Sequence, residues 1–194
     1  MKFHSSIPVR QRRIDTPLGR VLLAATPAGL AGFWFEGQRH SPDSSRWAEA
    51  PADDVLLQAA GAQVQEYFAG SRSHFDLPLD LSHGTPFQQA VWRALLQISR
   101  GQTTRYGALA AHIGQPRAVR AVGAAVGRNP LSVVVPCHRV LGADGSLTGY
   151  AGGLDRKVRL LALEGVAAVS AAPGRPQHAR SCMAGQAAGR RVHP

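Results

Sequence analysis

Apolar residues form short runs in the first third of the chain and helically spaced stripes in much of the remainder. From Gly19 to Phe35, two apolar runs flank the turn-forming Thr26-Pro27-Ala28-Gly29, which predicts a β-hairpin. From Asp53 the period changes. Leu57, Ala60, Val64, Tyr67 and Phe68 recur at helical spacing, Asp53 and Asp54 favour the start, and Gly70 marks the stop. His74 to His83 alternates apolar and polar residues around Pro78, which predicts an edge strand or an extended linker. Strands followed by one packing helix make a small α/β unit.

A second organisation begins at Thr85. Thr85-Pro86-Phe87-Gln88 supplies a capping hydroxyl, proline at the first helical position and glutamine three residues after the cap. The helix it starts is expected to reach about Ser99, with Phe87, Val91, Leu95 and Ile98 on its apolar face and Trp92 flanking. Tyr106 to Ile113 and Arg117 to Gly127, separated by Gly114-Gln115-Pro116, have the pattern of a helix-turn-helix. The second of these helices is slim. Ala118, Ala121, Gly123, Ala124 and Ala125 let it approach another surface closely, either a neighbouring helix or a partner met by Arg117 and Arg120. Leu131 to Val135 reads as a short buried strand, Asp144-Gly145 as a turn, Gly149 to Gly153 as a flexible loop and Leu154 to Leu163 as a last helix. Beyond it no apolar period persists, and a disordered tail is expected.

Charge sharpens this division. Of 194 residues, 22 are basic and 12 acidic, a net +10. Residues 1–82 carry 8 basic and 9 acidic side chains, residues 83–165 carry 10 and 3, and residues 166–194 carry 4 and none. A basic half beside a neutral one is the electrostatic footprint of nucleic-acid binding. The bland alternative is a compositional bias, since only Lys2 and Lys157 among the basic residues are lysine. Two cysteines, Cys137 and Cys182, make neither a disulfide framework nor a four-cysteine zinc site. No apolar run approaches the roughly 20 residues of a membrane span, and no signal peptide opens the chain, so a cytoplasmic protein without membrane contact is expected.

The chemistry then centres on Cys137. A lone cysteine is ordinarily a small buried hydrophobe. Pro136 alters that reading because it cannot donate to a strand ladder, so the chain should turn there and let Cys137 and His138 face one cavity. A thiol becomes nucleophilic when an imidazole, itself oriented by a carboxylate, takes its proton. Asp144, Asp155 and Glu164 are the only acids of the segment, and Glu164 looks like the orienting group, its ordinary role being that of a solvated helix-end residue.

Val135-Pro136-Cys137-His138-Arg139-Val140 resembles the active-site motif of the O6-alkylguanine-DNA alkyltransferases, also called methylated-DNA–protein-cysteine methyltransferases. The resemblance extends in family order through Thr85-Pro86-Phe87-Gln88, Tyr106, Arg120-Ala121-Val122-Gly123, Asn129-Pro130, Gly149 to Leu154 and Leu160 to Gly165. It implies an α+β fold: an N-terminal α/β domain over 1–82, RNase H-like or ferredoxin-like, and a mostly helical, winged helix-turn-helix-like domain over 83–167. A disordered basic tail follows over 168–194.

By the same resemblance, Cys137 accepts the alkyl group of O6-alkylguanine, and of O4-alkylthymine, irreversibly and once. His138, held by Glu164, removes the thiol proton through a water. Tyr106 donates to the departing base, and Asn129 braces the turn. Val140, Tyr150, Ala151 and Gly152 shape the substrate pocket. Arg120 replaces the flipped base in the minor groove of double-stranded DNA, with Arg117, Ala121, Ala124, Ala125 and Arg128 beside it. A monomer with no cofactor and no metal is implied. Members with serine at the position of Ala151 have a hydroxyl donor that this chain lacks. Two rival readings remain: a non-catalytic lesion sensor or DNA-binding regulator on the same domain, although related sensors replace the cysteine, and a cysteine hydrolase using Cys137 and His138.

Overall fold

A computed structural model describes residues 7–166; the tail expected over 168–194, with Cys182, lies outside the described residues. The predicted hairpin is present as β2 (Val21–Thr26) and β3 (Gly29–Phe35). Before it runs β1 (Arg10–Ile14), and after it β4 (Ala48–Glu49), giving the sheet order β3-β2-β1-β4 with only the β1–β4 pair parallel. The sequence RQRRI hides β1 from hydrophobic patterning. Its polar side chains find partners elsewhere: Arg10 pairs with Asp54 at 2.6 Å, and buried Gln11 donates to the Trp47 carbonyl at 3.1 Å, although its Oε1 is buried without a partner.

Helix α1 (Val55–Phe68) starts on the Asp54 cap, whose carboxylate accepts the Leu57 N–H, and buries Leu57, Ala60, Val64 and Tyr67. It packs against β1, β2 and β3. The segment after it runs along the free edge of β3, where Leu30 donates to the Pro78 carbonyl and Asp80 donates back to Leu30, both at 2.8 Å. Gly29 makes this approach possible, since a Cβ there would stand 2.5 Å from the Pro78 oxygen.

The second half opens with α2 (Pro86–Leu95), whose Thr85–Gln88 capping box is complete. This helix stops four residues short of the expected Ser99, because Gln97 and Ile98 donate only three residues back and tighten its end into a turn. Trp92 is fully in the core rather than flanking, with its indole N–H on the Ala125 carbonyl at 2.9 Å. The helix-turn-helix pair is α3 (Tyr106–His112) and α4 (Val119–Gly127), the latter starting two residues later than the pattern suggested. Strands β5 (Thr104–Arg105) and β6 (Val140–Leu141) pair in parallel, and α5 (Leu154–Leu163) packs against the turn that carries Cys137. One apolar cluster runs from the sheet through α1 into the helical half.

Leu131 to Val135 is not a strand. It is buried as expected, but only Leu131 bridges, to Phe33, and Val135 donates back to the Leu131 carbonyl at 2.8 Å. Hydrophobicity fixed the burial of this run, while backbone bonding within it fixed a turn.

Candidate active site

From the end of α4 the chain reaches Cys137 through turns held by Asn129. The buried Asn129 accepts the Leu131 N–H at 3.0 Å, donates to the Val135 carbonyl at 2.7 Å and places Nδ2 3.0 Å from the Cys137 sulfur. Val133 has φ +70°, and Val134 donates to the Ser132 carbonyl across it, a γ-turn whose positive φ costs a β-branched residue about 1–3 kcal/mol. At Pro136 (φ −81°, ψ 62°) an inverse γ-turn follows, closed by the Cys137 N–H on Val135. Cys137–Arg139 then form one 3-10 turn. The first half of the molecule anchors this segment: Phe33 donates to the Pro130 carbonyl, Ser132 donates to Phe33, and the Ser132 hydroxyl reaches Gln38 Oε1 at 3.0 Å.

The turn places a polar set in the buried interior. Cys137 is 5% exposed, and the side chains of His138 and Glu164 are fully buried. Burial pushes the Cys137 thiol up to about 11, with Asn129 and Lys157 opposing the shift. A resting thiol this weak needs a base. His138 is held below its ordinary value by burial, against the pull of Glu164, so it is neutral at neutral pH. Its Nε2 lies 3.0 Å from Glu164 Oε1, which as a carboxylate only accepts. The ring proton therefore sits on Nε2, and Nδ1, buried with no hydrogen-bond partner, carries the lone pair.

Glu164 is anchored from several sides. Arg139 grips both oxygens, Nε to Oε2 at 2.8 Å and Nη2 to Oε1 at 2.6 Å, and Tyr67 donates to Oε1 at 2.7 Å. Burial alone would raise this carboxyl, but hydrogen bonds from His138 and Arg139 outweigh it and hold the group well below the carboxylate range. Lys157 is also buried, its ammonium donating to the carbonyls of Val140 at 2.6 Å and Thr148 at 2.9 Å. Burial lowers it to about 8.

A second group of the sequence candidates lies in the loop beyond β6. Tyr150 and Gly152 are buried and Ala151 is half-buried; the Ala151 carbonyl accepts from Arg39 N–H at 3.0 Å. Gly152 fits where a Cβ would stand 2.7 Å from the Tyr150 ring and 3.3 Å from Phe35. Arg156 stacks 4.7 Å over Phe35 and donates to Gly152 at 2.8 Å and Leu18 at 2.9 Å. Tyr106, half-buried, has its hydroxyl 3.4 Å from that of Thr148. Val140 is buried, and its carbonyl already receives the Lys157 bond.

A third group lies on α4 and its flanks. Arg117, Arg120, Ala121, Ala124 and Arg128 are exposed, and Arg120, Ala121 and Ala124 share one side of α4. Ala125 is not among them: it is buried with Val122 and Val126 on the opposite face, and its carbonyl takes the Trp92 indole. Helical periodicity separates it from Ala121 and Ala124, so its small size serves packing instead.

Sequence reasoning missed Tyr67, Arg139 and Lys157. Arg139 adjoins His138 and could have been found by counting donors for a buried carboxylate. Tyr67 and Lys157 had no such signal, since one looked like ordinary core and the other like a solvated helix cation. Among the described residues, no cluster of three or more His, Cys, Asp or Glu is placed to hold a metal ion, and no helix is long and apolar enough to cross a membrane.

Residues 9–81 match the family described as "6-O-methylguanine DNA methyltransferase, ribonuclease-like domain", and residues 86–166 match its "DNA binding domain". The chain is similar to a methylated-DNA–protein-cysteine methyltransferase of Mycolicibacterium paratuberculosis, 47% identical over 156 residues, which span 80% of this chain and 92% of the relative. A Methanosarcina acetivorans protein of the same name is 45% identical over 152 residues, 78% of this chain and 95% of that one. Among solved structures, Mycobacterium tuberculosis OGT in complex with DNA superposes with a TM-score of 0.74 at 46% identity, covering 80% of this chain and 92% of that one. The O6-methylguanine-DNA methyltransferase of the archaeon Pyrococcus kodakaraensis gives 0.56 at 26% identity, covering 81% and 99%.

Proposed function

The chain belongs to the 6-O-methylguanine DNA methyltransferase family, and from that membership we propose how its own residues carry the reaction. The activity is direct reversal of alkylation damage: the alkyl group passes from guanine O6 in DNA to a cysteine of the protein. Cys137 is that acceptor. His138 Nδ1 takes the thiol proton through a water, while Nε2–H stays on Glu164, which stabilises the imidazolium that forms. The thiolate then attacks the alkyl carbon. A carbon–sulfur bond forms, the carbon–O6 bond breaks, and its electron pair remains on the guanine. Tyr106 donates to the departing base and neutralises that charge.

The thioether left on Cys137 has no easy hydrolytic exit, so each molecule reacts once. Asn129 holds the turn and the sulfur, and Tyr150, Ala151 and Gly152 form the pocket wall. A guanine in duplex DNA hides its O6 in the stack, so the nucleotide is flipped out at a cost of a few kcal/mol. The exposed side of α4 enters the minor groove, Ala121 and Ala124 permit close approach, and Arg120 fills the gap left by the base, with Arg117 and Arg128 on the flanking phosphates. Residues 1–82 act as the supporting domain and 83–167 as the reacting one, and the proposed site of action is the cytoplasm.

One observation supports the reading most directly: the Cys137 sulfur rests on buried Asn129, and the adjoining buried His138 holds Glu164 through Nε2 and keeps an acceptor lone pair on Nδ1. With O6-methylguanine DNA in excess, repair should stop at one base per protein molecule. Sustained turnover on this DNA, or on a peptide or ester, would contradict the acceptor chemistry.

A further inference from the structure

We propose that Tyr67 is a positioning residue for this transfer: its hydroxyl, reaching from α1 into the helical half, sets the orientation and charge of Glu164 and through it the basicity of His138. The proposal rests on the function given above. Tyr67 occupies the last turn of α1, on the face that buries Leu57, Ala60 and Val64, and ordinary core packing accounts for its ring. The ring is tilted against Phe75 and edge-on to Phe68, with centroids 5.4 Å away in each case, and the Arg100 guanidinium stands 5.7 Å over it. Packing does not account for the hydroxyl. It donates at 2.7 Å to Glu164 Oε1, 97 residues away, onto the oxygen that receives His138.

Glu164 Oε1 thus accepts three donors, Tyr67 Oη, His138 Nε2 and Arg139 Nη2, while Oε2 accepts Arg139 Nε. These four donors match the roughly four acceptor positions of a carboxylate, three of them crowded on Oε1. Two consequences follow. The plane of the carboxylate is fixed from both sides, so His138 meets it at one angle. The negative charge is also divided, and the share left for His138 is what stabilises its protonated form. The other charged and titratable groups nearby are Cys137 and Arg139 on the same turn, Lys157 on α5, Arg100 behind Tyr67 and Tyr150, which faces both Cys137 and Tyr67. Arg139 and Lys157 oppose protonation of His138, so Glu164 alone favours it, and Tyr67 moderates that pull.

Tyr67→Phe keeps the ring and removes only the donor. The variant and the unaltered protein are compared by methyl transfer to Cys137 from O6-methylguanine oligonucleotide between about pH 5 and 9, and by nitrogen-15 NMR titration of the His138 ring. With one donor lost, Glu164 pulls harder on His138, so both the ring midpoint and the acid limb of the rate should rise by about half to one pH unit. The maximal rate should fall about threefold to tenfold as the carboxylate loosens. Coincident profiles, or an equal loss of rate at every pH with an unmoved ring midpoint, would overturn the proposal and leave Tyr67 a packing residue. A shifted midpoint in a protein that transfers no methyl group would keep the positioning role and refute the function on which its use depends.

Discussion

At the scale of single residues, the site is organised around keeping a weak acid beside a neutral base. Burial sets both: it raises the Cys137 thiol to about 11 and lowers His138 beneath its ordinary 6.5. In the proposed mechanism the transfer depends on His138 being unprotonated. The transfer rate should hold level as pH falls from about 8 to 6.5 and decline only below the ordinary histidine value, measured as single-turnover rates across that range. A midpoint above 6.5 would show that Glu164, and not burial, governs the ring. Stability follows the same groups in the same direction. Glu164 is depressed in the folded protein, so its contribution is complete above the unfolded value of 4.5 and is lost as pH falls through the folded one. His138 was legible because it adjoins Cys137 in one contiguous motif, whereas Arg139 in the same motif was passed over. Tyr67 stayed hidden because a buried tyrosine in an apolar stripe looks the same whether or not its hydroxyl is used.

At the scale of elements, the legible features were those with local chemistry. The Thr85 capping box, the Thr26–Gly29 hairpin turn and the Asp54 start of α1 all depend on neighbours within a few residues. What was misjudged depends on distant ones. Leu131 to Val135 has the composition of a strand, yet Asn129 takes the Val135 carbonyl and Phe33 takes that of Pro130, leaving a turn. Helix α4 shows the same division within one element: Ala121 and Ala124 face outward and Ala125 faces Trp92, which small size alone could not distinguish. The exposed side carries the prediction. Arg120→Ala should slow repair of duplex DNA about tenfold to a hundredfold, since it no longer offsets a flipping cost of a few kcal/mol, while reaction with free O6-alkylguanine base stays unchanged. Equal loss on both substrates would remove Arg120 from the flipping step.

At the scale of the whole molecule, the nearly neutral first half does more than cover the basic second one. The free edge of β3 receives both the linker at Leu30 and the reactive segment at Phe33, so the sheet sets where Cys137 stands. Arg156 ties Gly152 to Phe35 of the hairpin, and Tyr67 reaches Glu164 from α1. Patterning and charge separated the two halves but could not show these ties, since each joins residues far apart in sequence. In the proposed function, this assembly makes Cys137 a single-use acceptor. Peptide-resolved mass spectrometry after incubation with O6-methylguanine DNA tests it most directly. The account predicts one added methyl group per molecule on the Cys137 peptide, absent in Cys137→Ala although that variant still binds the DNA; an unmodified Cys137 beside repaired DNA would contradict it.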